Sequence, residues 1–189
     1  MEWNTAADRF IEALASSDPT PGGGAGAAMA GAMGCALALM AIGTTLKQKS
    51  TQPDTKGLLT QSSKRLHSLN TELKTLIQKD ADAYAAYLVA KKLPKEDAHR
   101  PQVLQDALWF AATVPADTAT TAAHCLREID KIKGIISPVI HSDVLCAEHL
   151  LKASIRCAVE NIRANQLYLT NEERKETLEK QIISLLKLC

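Results

Sequence analysis

The sequence predicts an all-α fold of about six helices packed around a central helix rich in Gly and Ala, with no sheet. Three observations carry that prediction. Apolar residues recur at steps of three and four along nearly the whole chain, and no strand-like alternation or hairpin signal interrupts them. From Gly22 to Leu46 there is no charged residue, and the stretch is filled with Ala, Gly, Leu and Met. Hydrophobic residues make up 46% of the chain but aromatics only 4%, so the core must be built from small and aliphatic side chains. With 189 residues and no internal repeat, residues 1–189 read as a single domain.

Residues 4–16 are expected to form a short amphipathic helix, with Ala7, Phe10, Ile11 and Leu14 on one face. Pro19 and Pro21 stop it. Gly22, Gly23 and Gly24 then allow a backbone path closed to residues with side chains. The central helix follows and fades near Lys47 to Lys49. Apolar on every side, it is expected to be buried on every side.

Gln52-Pro53-Asp54 reads as a turn, with Asp54 or Thr55 capping a long helix over residues 56–92. Its stripe runs Leu59, Leu66, Leu69, Leu73, Leu76 and Ile77, then Asp80, Tyr84 and Tyr87. Pro101 suits the first turn of the next helix, whose apolar line is Leu104, Leu108, Ala111 and Val114. A kink is expected before Pro115, after which the line resumes to Ile129. Lys131 to Pro138 is a connector. Ser142 is expected to cap a helix reaching about Leu169, and Thr170 with Glu173 to box the last one, which turns Leu178, Ile182, Leu185 and Leu186 inward.

The totals exclude several classes. A net charge of +1, from 22 basic and 21 acidic residues, argues against nucleic acid and membrane surfaces as partners. The uncharged run is long enough to span a bilayer, yet Gly and Ala supply little hydrophobicity, and Gly43, Thr44 and Thr45 weaken its far end. Asp8, Glu12 and Asp18 precede it, unlike a signal peptide. The five cysteines are scattered without a Cys-x-x-Cys, three of them in apolar helical contexts, which fits a reduced, cytoplasmic protein. Cys146 and His149 would be half a zinc site without a second half, so no metal is expected. No Ser occupies a hydrolase elbow.

Four polar side chains stand out. Asp80 continues an apolar stripe, where burial raises a carboxyl into the range useful for acid–base work; the plain alternative is a carboxylate bonding a neighbouring helix. Asp143 opens its helix, where the dipole and first-turn amides also favour it. Asn161 and Asn165 lie one turn apart, and eighteen positions put Asp143 and Asn161 on one face. Such amides suit a heterocycle edge, or simply a helix–helix contact. The triple glycine is either a tight turn or a set of backbone amides facing a ligand anion.

Taken in order, these elements resemble one family. Pro19-Thr20-Pro21-Gly22-Gly23-Gly24 with the small-residue helix is similar to the start of the formiminotetrahydrofolate cyclodeaminase and methenyltetrahydrofolate cyclohydrolase family. Asp80-Ala81-Asp82-Ala83-Tyr84, Leu93-Pro94-Lys95, Ala112-Thr113-Val114-Pro115, Ser142-Asp143 and Asn161-Ile162-Arg163-Ala164-Asn165 resemble its later elements. The chain departs at Ala25, where the family often has Ser, and at Gly43 to Lys49, where it tends to Asn and Thr-x-Gly-Lys.

The resemblance implies an all-α enzyme, usually a homodimer, acting on the one-carbon unit of tetrahydrofolate. It would convert 5-formiminotetrahydrofolate to 5,10-methenyltetrahydrofolate with loss of ammonia, or hydrolyse the methenyl compound to 10-formyltetrahydrofolate. No cofactor is implied beyond tetrahydrofolate as the carrier. By the same resemblance Asp80 and Asp143 would be catalytic and Asn161 and Asn165 would orient the folate. Gly22, Gly23 and Gly24 would approach it through backbone amides, and Lys47 or Lys49 would either meet its glutamate tail or simply be an exposed helix-end charge. A helical binding or assembly protein, its polar residues merely pinning helix registers, is the competing class.

Overall fold

The computed structural model describes residues 2–189 and contains six α-helices, with no strand among the described residues. They are α1 (Trp3–Ala15), α2 (Gly23–Leu46), α3 (Pro53–Lys92), α4 (Arg100–Ile132), α5 (His141–Gln166) and α6 (Glu172–Leu186). Short 3₁₀ turns at Lys133–Ile135 and Pro138–Ile140 join α4 to α5.

Helices α2 to α5 make an up-and-down four-helix bundle, each antiparallel to its sequence neighbour. The Ser154 hydroxyl donates to the Ala27 carbonyl at 2.7 Å, tying α5 to α2. Cys35 donates to the Leu66 carbonyl at 3.2 Å, tying α2 to α3, and Arg65 bonds Glu128 across α3 and α4 at 3.1 Å. The main core holds Cys35, Ala38, Ile42, Leu59, Leu66, Leu73, Ile129, Leu151 and Ile155. A second cluster, including Leu108, Val159, Ile162, Leu178 and Ile182, seats α6 against α4 and α5.

Small residues in α2 set how closely this bundle closes. A Cβ on Gly34 would lie 2.9 Å from Leu151 Cγ and 3.0 Å from the Ala147 carbonyl oxygen, and one on Gly31 would lie 2.8 Å from Ser154 Oγ. These are closer than carbon atoms tolerate, so α5 packs directly on the α2 backbone.

Several expectations are corrected. Helix α2 is buried against α3, α4 and α5 but leaves one stripe uncovered: Met33 is 48% and Met40 44% exposed, and Gly26 and Gly43 face open space. Helix α1 has its amphipathic pattern but packs little against the other described helices, so Ile11 remains 58% exposed. No described glycine has a positive φ; the glycines are there for close approach rather than for an unusual backbone. Helix α3 begins at Pro53, ahead of both expected caps. Helix α5 continues directly from a 3₁₀ turn, which places Ser142 inside its first turn. The cap of α6 is Asn171, whose side chain accepts the Arg174 N–H at 2.9 Å. Helix α4 is continuous through Pro115, which lies in its interior. Two cysteines, Cys35 and Cys125, are fully buried rather than three.

Candidate active site

At the glycine end of the bundle, α2, α3, α4 and α5 converge on a cleft of about 320 Å³. Its lining includes Gly22, Gly23, Gly24, Asp80, Asn161 and Asn165. The chain has three tyrosines, and all of them, Tyr84, Tyr87 and Tyr168, line it as well. A mostly concave, part-aromatic cleft with a few convergent polar groups is the usual form of a small-molecule site.

The first turn of α2 supplies backbone donors. A helix begins with N–H groups that lack intrahelical partners, and here the ladder starts only with Gly26 N–H to Gly22 O at 3.0 Å. Asp80, reaching over from α3, accepts the Ala25 N–H through Oδ2 at 2.9 Å and so caps α2 from another helix. The Gly23 and Gly24 amides have no acceptor among the described residues. They lie at the positive end of a 24-residue helix, which favours negative charge nearby.

This arrangement depends on the absence of side chains. A Cβ on Gly24 would overlap the Asp80 carboxyl group, with its carbon only 2.6 Å away, and one on Gly23 would press on the Asn161 amide at 3.3 Å. Burial pushes the Asp80 carboxyl above its ordinary range, and the Ala25 N–H offsets only part of that rise. A carboxyl so placed can hold or release a proton nearer neutrality than an exposed aspartate can.

The two asparagines are oriented with their amide nitrogens already engaged. Asn161 donates to the Cys157 carbonyl at 2.9 Å. Asn165 donates to the Asn161 carbonyl at 3.0 Å and to the Ala111 carbonyl on α4 at 2.9 Å. Neither Oδ1 receives a donor from the described residues, so each remains a free acceptor. Tyr84 and Tyr87 come from the same face of α3 as Asp80, their ring centroids 6.2 Å apart. Tyr168 stands at the mouth, just past α5. The Gln105 side chain grips that turn, donating to the Tyr168 carbonyl at 3.1 Å and accepting the Thr170 N–H at 2.8 Å.

Six residues singled out from sequence, Gly22, Gly23, Gly24, Asp80, Asn161 and Asn165, are thus brought together. Two are not. Asp143 stands in the first turn of α5, about 27 Å down the helix from Asn161. Lys47 is the C-cap of α2, exposed at the opposite end of the bundle from the glycines. The five-turn spacing correctly puts Asp143 and Asn161 on one helical face, but a face is a line and not a point. Tyr84 and Tyr87 follow Asp80 on its stripe, but nothing in the sequence alone joins Tyr168 to them, and the link from Asn165 to Ala111 has no signal there either. Among the described residues no three His, Cys, Asp or Glu side chains converge.

Comparison with known proteins places this geometry in company. A family model described as Formiminotransferase-cyclodeaminase matches residues 6–184. The chain is similar to the methenyltetrahydrofolate cyclohydrolase of Methylorubrum extorquens, at 34% identity over 192 residues covering 95% of this chain and 89% of that protein. It is similar to the formimidoyltransferase-cyclodeaminase of Sus scrofa at 29% identity over 94% of its own length, but spans only 34% of that longer relative. The crystal structure of formiminotetrahydrofolate cyclodeaminase from Thermotoga maritima superposes with a TM-score of 0.86 and 26% identity, covering 100% of this chain and 89% of the other.

Proposed function

The chain belongs to the formiminotransferase-cyclodeaminase family, and from that premise we propose that it is an enzyme of folate one-carbon metabolism. In this reading it converts 5-formiminotetrahydrofolate to 5,10-methenyltetrahydrofolate with release of ammonia. The observation that carries the reading is Asp80: a carboxyl raised by burial, beside unpartnered helix-start amides, in a cleft that also presents aromatic rings and amide acceptors.

The chemistry requires one proton to change nitrogen. The formimino group enters as a protonated amidine, N5–CH=NH2+. N10 attacks its carbon and loses its proton, and the former iminium nitrogen gains that proton and departs as ammonia, leaving the cationic methenyl bridge. Asp80 can take the first proton as the carbon becomes tetrahedral and return it to the leaving nitrogen. Its negative form also suits the cationic methenyl product. Asn161 and Asn165 offer their Oδ1 atoms to N–H groups of the pteridine, and the tyrosines offer faces to its rings.

A second reading is methenyltetrahydrofolate cyclohydrolase, favoured by the similarity to the Methylorubrum extorquens protein along most of both chains. The same carboxyl would take a proton from the attacking water and deliver it to N5 as the C–N5 bond breaks, while the remaining hydroxyl proton is released to solvent as the formyl C=O forms. Absorbance separates the two. Methenyl absorbance rising from 5-formiminotetrahydrofolate, with ammonia released in step, supports cyclodeamination. Methenyl absorbance decaying faster than its spontaneous rate supports hydrolysis. Neither change would leave a helical binding or assembly protein as the better account.

The proposal includes a cytoplasmic location and a homodimer. The dimer is supported by the uncharged stripe of α2, where Met33, Ala36 and Met40 are exposed between Gly26 and Gly43, and by the exposed apolar face of α1. Two copies meeting at that stripe about a two-fold axis would run their α2 helices in opposite directions. The far end of a second copy, with its Asp143 and Lys47, would then approach the glycine end of the first. That is the route by which those two residues could reach the same ligand.

A further inference from the structure

We propose that Pro115 is a positioning residue for ligand binding, acting through the Ala111 carbonyl on Asn165. The inference rests on the folate reading for the identity of the ligand, but its geometry stands on the chain itself. Within α4 the N–H of residue 115 would normally bond the carbonyl of residue 111, and proline has no N–H to give. The Ala111 carbonyl is therefore left without its helical donor in the interior of a helix. Asn165 of α5 supplies one instead, at 2.9 Å.

That bond fixes more than a helix contact. The second N–H of the same amide goes to the Asn161 carbonyl at 3.0 Å, so both donors are committed and the plane of the group is set. Its Oδ1 is left as an acceptor in a cleft that Ala111, Asn161 and Asn165 all line. The helix defect thus decides which atom Asn165 shows to a ligand: an oxygen that accepts an N–H, as the pteridine edge provides, and not an amide that donates. An alanine at 115 would restore the helical bond to Ala111 and leave Asn165 competing for that carbonyl.

The test is a double-mutant cycle on the full chain, reading the Kd of 5-formyltetrahydrofolate, a stable probe. Pro115→Ala should weaken binding about fivefold, in the range of one oriented hydrogen bond. Asn165→Ala should weaken it at least as much. Pro115→Ala in the Asn165→Ala background should add less than about twofold, because the positioned group is already gone. Parental affinity in Pro115→Ala, or full additivity in the double variant, would overturn the inference while leaving the folate reading in place. Failure of the parent itself to bind the probe would overturn the folate reading and this inference with it. Asn165→Asp, which keeps an acceptor but has no N–H for Ala111, serves should Pro115→Ala not fold; unchanged affinity there also counts against the proposal.

Discussion

Both ends of the bundle carry polar groups, and they use them differently. At the far end of α2, Thr45 Oγ1 donates to the Ala41 carbonyl at 2.9 Å and accepts the Ser137 N–H at 3.1 Å. Gln48 donates to Ser137 Oγ at 2.6 Å, and Thr51 Oγ1 donates to the Thr45 carbonyl at 2.7 Å. Every one of these groups has a partner within the chain, as buried polar groups in a stable structure usually do. At the glycine end the Gly23 and Gly24 amides and the Oδ1 atoms of Asn161 and Asn165 have none among the described residues. The difference teaches that polar residues do not mark a site by being polar. What marks it is hydrogen-bonding capacity left open in a cleft shaped to receive a ligand.

The comparison breaks most visibly at Asp80. Asp80→Asn keeps the shape and an acceptor for the Ala25 N–H but cannot carry a proton, so turnover should fall by about 10²-fold or more. Steady-state rates on 5-formiminotetrahydrofolate and 5,10-methenyltetrahydrofolate check it. Parental rates on whichever substrate the chain accepts would move the catalytic proton elsewhere. A next, smaller effect tests whether the far end joins the site through a second copy. If Asp80→Asn and Asp143→Asn are each inactive, an equal mixture should regain roughly a quarter of parental activity, since half the dimers are hybrids with one intact site of two. No recovery on mixing, or full activity in Asp143→Asn alone, would confine the site to one chain.

Much of this was legible in the sequence, and the physical reason differs from element to element. The helices could be read because periodicity records which face is buried, and Asp80 could be read because a carboxylate on that stripe breaks the pattern. The glycines were recognisable but their role was not. A sequence shows that side chains are missing and cannot show that the Asp80 carboxyl fills the space at Gly24. Asn165 was picked out with Asn161 and Pro115 was expected to kink α4, yet nothing in either helix alone connects them. The bond from Asn165 to Ala111 joins residues 54 positions apart and exists only once α4 and α5 are packed. Asp143 shows the opposite failure: helical phase relates it to Asn161, and the length of α5 separates them.

The smallest expected effect concerns stability and runs against the loss of activity. Burial raises the folded-state pKa of Asp80 above the ordinary carboxylate value of the unfolded chain. Between those two values the folded protein holds a proton that the unfolded chain has released. The free energy of unfolding therefore falls as pH rises through that window, and above it the cost of keeping a buried charge is fully present. Asp80→Asn removes the charge without removing the acceptor for Ala25. Its Tm should exceed the parental Tm at pH 7, and the gap should narrow as pH falls through that window and the parent's own carboxyl becomes neutral. Thermal unfolding of both proteins across that range reads the sign directly. A gap that widened toward acid would mean that the Ala25 amide favours the charged form more than burial disfavours it. Asp80 would then be a structural cap for α2, satisfied in the manner of Thr45 at the other end. A gap that narrows leaves it as a carboxyl held ionised at a cost to the fold, which a purely structural cap has no reason to bear.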